Sequence, residues 1–242
     1  MNPIRILGIA RLVFAEQTRD RLLWLAVALA VLLAAGVRGI EWINFGLPRA
    51  RFVIDGGLAA ISLGSLFLAV VASAQGLHRH LESGLAAILL TRGVGRGEMV
   101  TGHWLAMLGL LAAYAALPGT VLVLALTGTG DTATEPVRGL VHIWLCGAVV
   151  AAMALAVGSL VHNLALALCL SLTLVVAGYL RDLAGPLFGA EAWLRLPTSI
   201  VPDLGALTSG NQAAPGRLLL YAVGHVALWL IIAVLGFRRR EL

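Results

Sequence analysis

Residues 22–37 read LLWLAVALAVLLAAGV, and runs of this kind recur to the end of the chain. Nothing else in the sequence narrows the fold so far. A helical run of about 18 or more apolar residues matches the ~30 Å hydrocarbon core of a bilayer. In lipid each backbone N–H and C=O has to be satisfied within the protein, and a helix does this by itself. Six such runs stand out, at 22–43, 57–77, 99–126, 140–161, 164–180 and 218–237. Of the 242 residues, 60% are hydrophobic and 12% charged, about half the charged share of a soluble domain. The intervals between runs hold no soluble domain. The sequence predicts an all-α integral membrane protein with one transmembrane domain over 1–242 and six transmembrane helices. The first run does not read as a cleavable signal, because Arg5, Arg11, Arg19 and Arg21 precede it and no small-x-small site comes before Arg38.

Charge then sets the orientation. The chain has 17 basic residues, all Arg, and a formal net charge of +5. They fringe the apolar runs, which is a membrane-topology pattern rather than a nucleic-acid footprint, so no nucleic-acid partner is expected. Six spans put both termini on one side, together with the 78–98 segment and the His162–Asn163 turn. That side holds ten Arg (Arg5, Arg11, Arg19, Arg21, Arg79, Arg92, Arg96, Arg238, Arg239 and Arg240), against seven on the other. Positive residues mark the cytoplasmic side, so both termini are expected there.

Residues 1–21 are expected to form an interfacial helix against membrane lipids. Ile6, Leu7, Ala10, Val13 and Phe14 share one side of a helical wheel, and Arg5, Arg11, Glu16 and Arg19 the other. Ile9 and Leu12 interrupt the polar side. The alternative is that these residues simply extend span one into water.

Few chemistries are open to the spans. No charge stands mid-span, and the deepest titratable group is His225, so proton- or sodium-coupled transport is disfavoured. His142 and Glu135 lie near a span entrance. A nucleotide-binding P-loop needs a Lys, and the chain has none. ATP hydrolysis is therefore not expected of this chain, and no other catalytic constellation suggests an enzyme. Cys146 and Cys169 fall inside apolar runs and read as small packing residues. His78 and His80, followed by Glu82, invite a metal reading. Positions two apart on a helix point in different directions, so a solvated helix face is expected, with no metal and no cofactor.

The segment HRHLESGLAAILLTRGVGRGE, residues 78–98, is too long for a mere connector. Leu81, Leu85, Ile88 and Leu89 recur at helical spacing, which predicts a short helix over 78–90 lying along the membrane surface. Gly93, Gly95 and Gly97 let the chain reverse into the next span. The alternative is a long hairpin adsorbed to the bilayer.

Taken in order, Glu82, Ser83 and Gly84, the Leu89–Leu90 pair, the Thr91–Arg92 turn, Arg96 with Glu98, and Gly102 resemble the segment between spans two and three of ATP-binding cassette (ABC) type-2 permeases. Leu85, Gly93 and His103 depart from that pattern, standing where Thr, Pro and Lys are usual. RLVFAEQTRDRLLWL resembles the family's leading helix, and LPTSIVPDLGAL with the terminal FRRREL resembles its C-terminal half. The nearest likeness within the family is to the copper-enzyme-maturation permeases.

The resemblance implies the membrane permease subunit of an ATP-driven exporter, in the cytoplasmic (inner) membrane of a bacterium. It implies cytoplasmic ABC ATPase subunits that carry ATP and Mg, and a dimer with a second copy or a sister permease. His80, Glu82, Ser83, Gly84, Leu85, Leu89, Arg92, Arg96 and Glu98 would be the ATPase-coupling residues on a cytoplasmic coupling helix. Short re-entrant or capping helices would occupy 181–216, where Pro186, Pro197 and Pro202 fit broken helices. Two other readings stand beside it: a haem-exporter-like permease, against which FRRREL argues, and a non-transporting membrane scaffold or sensor for envelope enzyme assembly.

Overall fold

The computed structural model describes residues 2–40, 49–126, 134–188, 200–209 and 215–239. Among these, every regular element is helical: α1 Pro3–Thr18, α2 Arg21–Ile40, α3 Arg49–Glu82, α4 Leu85–Thr91, α5 Arg96–Leu126, α6 Thr134–Leu160, α7 Leu164–Phe188, α8 Leu204–Ser209 and α9 Pro215–Arg238. Five stretches are long and apolar enough to cross a membrane: Val53–Glu82, Arg96–Leu124, Thr134–Leu160, Leu164–Arg181 and Gly216–Arg238. The chain thus reads as a membrane-spanning helical protein. Within α2 the apolar stretch Leu23–Leu32 is shorter.

The centre of the bundle is α6. Every residue from Cys146 to Ser159 on it is buried, on all sides of the helix. A helix buried all round has neighbours on each face, and here they are α3, α5, α7, α8 and α9. Lipid tails supply no hydrophobic drive for helices to associate, so close packing and interhelical hydrogen bonds take over. The small residues of this run, such as Gly147, Ala148, Ala151, Ala152 and Ala154, permit the approach. At Gly147 an added Cβ would lie 3.0 Å from Ser65 Oγ and 3.1 Å from a Leu111 methyl. Two indoles fasten α5 to α6 in both directions. Trp104 Nε1 donates to Ala148 O at 3.0 Å, and Trp144 Nε1 donates to Leu108 O at 3.0 Å.

The helices differ in extent from the sequence expectation, for local reasons. Residues 78–82 continue the second predicted span instead of opening a new helix, because α3 runs unbroken to Glu82. A helix satisfies its own backbone and need not stop where lipid stops. At the other end, Arg49, Arg51 and Asp55 stand on α3 and not in a loop, and Glu135 and Arg138 likewise stand on α6. Pro118 sits inside α5 without ending it. The AEAWLRL segment, residues 190–196, lies outside the described residues, as do Pro197 and the stretch 127–133.

Away from α1, the short helix α8 is held to the ends of α7 and α9 by a set of hydrogen bonds. Arg181 Nη1 donates to Val201 O at 2.8 Å and to Tyr221 Oη at 3.2 Å, while the Asp203 N–H donates to Tyr221 Oη at 2.7 Å. Asp203 Oδ1 accepts from Ala206 N at 2.8 Å, an N-cap for α8. Leu204 and Leu207 are buried. At Gly178 an added Cβ would meet Pro202 O at 2.8 Å, so α7 meets the segment leading into α8 at van der Waals distance.

Candidate functional site

Apart from the Arg181–Asp203–Tyr221 cluster, polar contacts between helices concentrate around the connection from α3 to α5. That connection is a short helix held between two glycines in the left-handed region. Gly84 has φ 72° and Gly93 has φ 75°, a conformation costly for residues bearing a Cβ. At Gly84 the chain leaves α3, and its carbonyl accepts from Ile88 N at 3.1 Å to begin α4. The far end of α4 closes as a Schellman motif: Val94 N–H donates to Leu89 O at 3.2 Å, and Gly93 N–H donates to Leu90 O at 3.0 Å. Both orphan carbonyls are satisfied and the chain turns sharply.

Glu98 then starts α5. Its Oε2 accepts from Gly95 N at 3.0 Å, the reach-back bond of a capping box. Its Oε1 accepts from Asn2 N at 2.6 Å. Asn2 is itself the N-cap of α1, with Oδ1 accepting from Ile4 N at 3.0 Å. One buried carboxylate therefore sits at two helix N-termini, where the partial positive charge of each favours it. Next to it the Arg5 guanidinium donates to Gly93 O.

Along α1, the buried residues are Ile9, Ala10, Val13 and Gln17. This side is rotated from the expected one: Ile9, which interrupts the polar side on a wheel, points inward, and Leu7 is 56% exposed. The reason is the neighbour. Gly102 on α5 leaves room for Ile9, and an added Cβ there would meet its side chain at 2.8 Å and Ile6 O at 3.2 Å. Gln17 Nε2 reaches across to donate to Ala72 O on α3 at 3.2 Å. Arg79 pairs with Asp20 at 2.8 Å. The exposed residues of α1 include Ile4, Leu7, Arg11 and Leu12.

Three further side chains form a row across α1, α3 and α5. His80 Nε2 lies 2.7 Å from Glu16 Oε2, and His80 Nδ1 lies 2.8 Å from His103 Nε2. His103 Nδ1 lies 3.1 Å from Met99 O. His78 turns elsewhere, its ring nitrogens 3.1 Å from Ala74 O and 3.2 Å from the carbonyl of His162. The two histidines of the HRH motif diverge, as their spacing demands, but both are buried, at 3% exposure each, and do not form the solvated helix face expected of them, because α1, α5 and the His162 turn cover them. Among the described residues no group of three or more His, Cys, Asp or Glu is placed to hold a metal ion. Finally, Arg96 Nη1 donates to Arg238 O at 2.6 Å, which ties the end of α9 to the same cluster.

The nine residues singled out from sequence fall into three groups here. Glu82, Ser83 and Arg92 are exposed; Gly84, Leu85, Leu89 and Arg96 are half-buried; His80 and Glu98 are buried. The short helix is α4 alone, Leu85–Thr91, with Ile88 exposed at 51%. Sequence reasoning missed Asn2, Gln17 and His103 as members of the cluster, and placed Glu16 only on a solvated face. The one available signal was His103, standing where the resembled family has Lys.

Away from this end, an apolar groove of about 750 Å³ opens between α2, α3 and α7, with Leu29, Leu63, Phe67, Leu172, Val176 and Tyr179 among its walls. Compared with protein-family models and with curated proteins, the chain matches none.

Proposed function

We propose that this chain is the membrane permease subunit of an ABC exporter. Separate cytoplasmic ATPase subunits hold ATP and Mg, and the permease works as a dimer with a second copy or a sister chain. In this reading α2 is the first of six spans, both termini face the cytoplasm of a bacterium, α1 is the interfacial helix, α4 is the coupling helix and α8 belongs to an outer cap. The groove between α2, α3 and α7 is the incomplete wall that a half-transporter would present.

One observation carries the reading. The 34 residues of α3 and the 31 of α5 measure about 50 Å and about 46 Å at ~1.5 Å per residue, against a hydrocarbon core of ~30 Å. Both helices are longer than the lipid is thick, and α4 joins them at one end. A push on α4 is therefore a push on two spans through covalent bonds. Exposed Glu82, Ser83, Ile88 and Arg92 give a cytoplasmic partner an apolar contact framed by a charge of each sign. The closed turns at Gly84 and Gly93 keep α4 stiff enough to transmit force.

The test is reconstitution of the permease with its ATPase partner in liposomes. Glu82→Gln and Arg92→Ala should leave insertion and yield unchanged while stimulated ATP hydrolysis falls by about tenfold, the cost of one interfacial anchor. Undiminished stimulation in both variants would contradict the assignment of α4 as the coupling helix.

A further inference from the structure

The row Glu16–His80–His103 has a proton count that the rest of the bundle lacks. A carbonyl only accepts, so the bond between His103 Nδ1 and Met99 O requires a hydrogen on that nitrogen. The His80–His103 contact requires one more hydrogen between the two rings, and the His80–Glu16 contact a third. Two neutral imidazoles and a carboxylate supply only two. The bonded row therefore contains one extra proton, and with it the row is electrically neutral. That neutrality is what lets His80 and His103 sit 3% and 1% exposed, since burying an unpaired charge is costly.

We propose that Glu16, His80 and His103 form a proton-binding site that locks α1 to the inner ends of α3 and α5. The charge is best balanced with the proton on His80, the ring touching the carboxylate. Its Nε2–H then donates to Glu16, its Nδ1–H donates to His103 Nε2, and His103 Nδ1–H donates to Met99 O. Removing the proton leaves one of the three contacts without a hydrogen: ring nitrogen against ring nitrogen, His80 against the Glu16 carboxylate, or His103 Nδ1 against the Met99 carbonyl, which only accepts. In each case a bond is lost, and the negative charge stays on Glu16, whose side chain is 38% exposed, beside two buried rings.

Among the described residues the groups around the row are turned away or engaged elsewhere; on α2, which packs on α3 and α5, Arg21 is exposed. In the turn after α1 the next acid, Asp20, is engaged with Arg79. On α5 Glu98 is held by Asn2 N and Gly95 N. On α3 itself His78 faces the carbonyls of Ala74 and His162. α4, packed on α3, carries no titratable side chain.

The sign follows directly. The bonded state owns the extra proton, so the lock is present at low pH and lost as pH rises through the titration of the row. The half of α1 affected is the C-terminal one, around Glu16 and Gln17. The Asn2–Glu98 and Arg5–Gly93 ties hold the other end and contain no such proton. The site belongs to the fold, whatever α4 docks with.

The experiment is hydrogen exchange on the full-length protein in nanodiscs, from about pH 5.5 to about pH 8.5, corrected for intrinsic rates. In the wild type, amides of residues 13–20 should exchange about tenfold faster, or more, at the alkaline end, the worth of a charge-assisted bond. Glu16→Gln is the decisive variant, because its amide brings its own hydrogen to His80 Nε2 and completes all three bonds with two neutral rings. It should stay protected across the whole range. A wild type with pH-independent protection, or a Glu16→Gln variant that tracks the wild type, would overturn the proposal. Nitrogen NMR on histidine-labelled wild type gives an independent reading: one doubly protonated ring should titrate at the pH where α1 loosens. Absence of any histidine titration at that pH would also overturn it.

Discussion

Gly102 shows how one missing Cβ decides the placement of a whole helix. With an added Cβ 2.8 Å from the Ile9 side chain and 3.2 Å from Ile6 O, α1 could not lie on α5 as it does. Gly102→Val should lift α1, opening the Asn2–Glu98 bond and exposing Ile9 and Val13. Limited proteolysis within residues 3–20 should accelerate by about tenfold or more, the expected consequence of losing a few kcal/mol of packing in a tight contact, while the spans stay protease-resistant. Of the two positive-φ glycines, Gly93 was legible in the sequence, since a chain reversing after Arg92 calls for one, whereas Gly84 was not, and Gly97 lies inside α5. The polar partnerships were not. Glu16 lies 64 positions from His80, and His103 lies 23 from it. No periodicity within either segment encodes which nitrogen meets which oxygen.

The helices themselves were largely readable, because an apolar run of membrane length has few alternatives. Their ends were not, because polarity marks where lipid stops and hydrogen bonding marks where a helix stops. So α3 carries on through His78, Arg79 and His80 to Glu82, and the surface helix expected over 78–90 shrinks to Leu85–Thr91. The same logic rotates α1: its buried side is chosen by Gly102 and the carbonyl of Ala72, not by its own amphipathicity. Between elements, the reciprocal indoles of Trp104 and Trp144 are the clearest fasteners. Each interhelical bond of this kind in a membrane is worth about 0.6–2 kcal/mol. Trp104→Phe and Trp144→Phe should each lower the thermal unfolding midpoint in detergent, and the double variant should lose roughly the sum. A double variant as stable as the wild type would mean that the two bonds add nothing.

For the molecule as a whole, the ends of its helices sort into two groups. One joins α1, α4, the His162 turn and Arg238 through the bonds of Arg5, His78, Arg96 and Glu98. The other joins α8, Arg181 and Tyr221. The six-span reading predicts that these groups face opposite sides of the membrane. With Cys146 and Cys169 replaced by Ala, single cysteines at Ser83 and Ser209 should react with an impermeant maleimide from opposite sides of sealed vesicles, and labelling of both from one side would contradict that topology. The central claim is sharper still: α4 is where a nucleotide-hydrolysing partner delivers its push. The most direct measurement places a photo-cross-linking side chain at Ser83 or at Thr208 in native membranes and identifies what is captured. The account predicts a P-loop ATPase attached at Ser83 and none at Thr208; capture of no nucleotide-binding protein at Ser83, in membranes where the chain is intact and inserted, would contradict it.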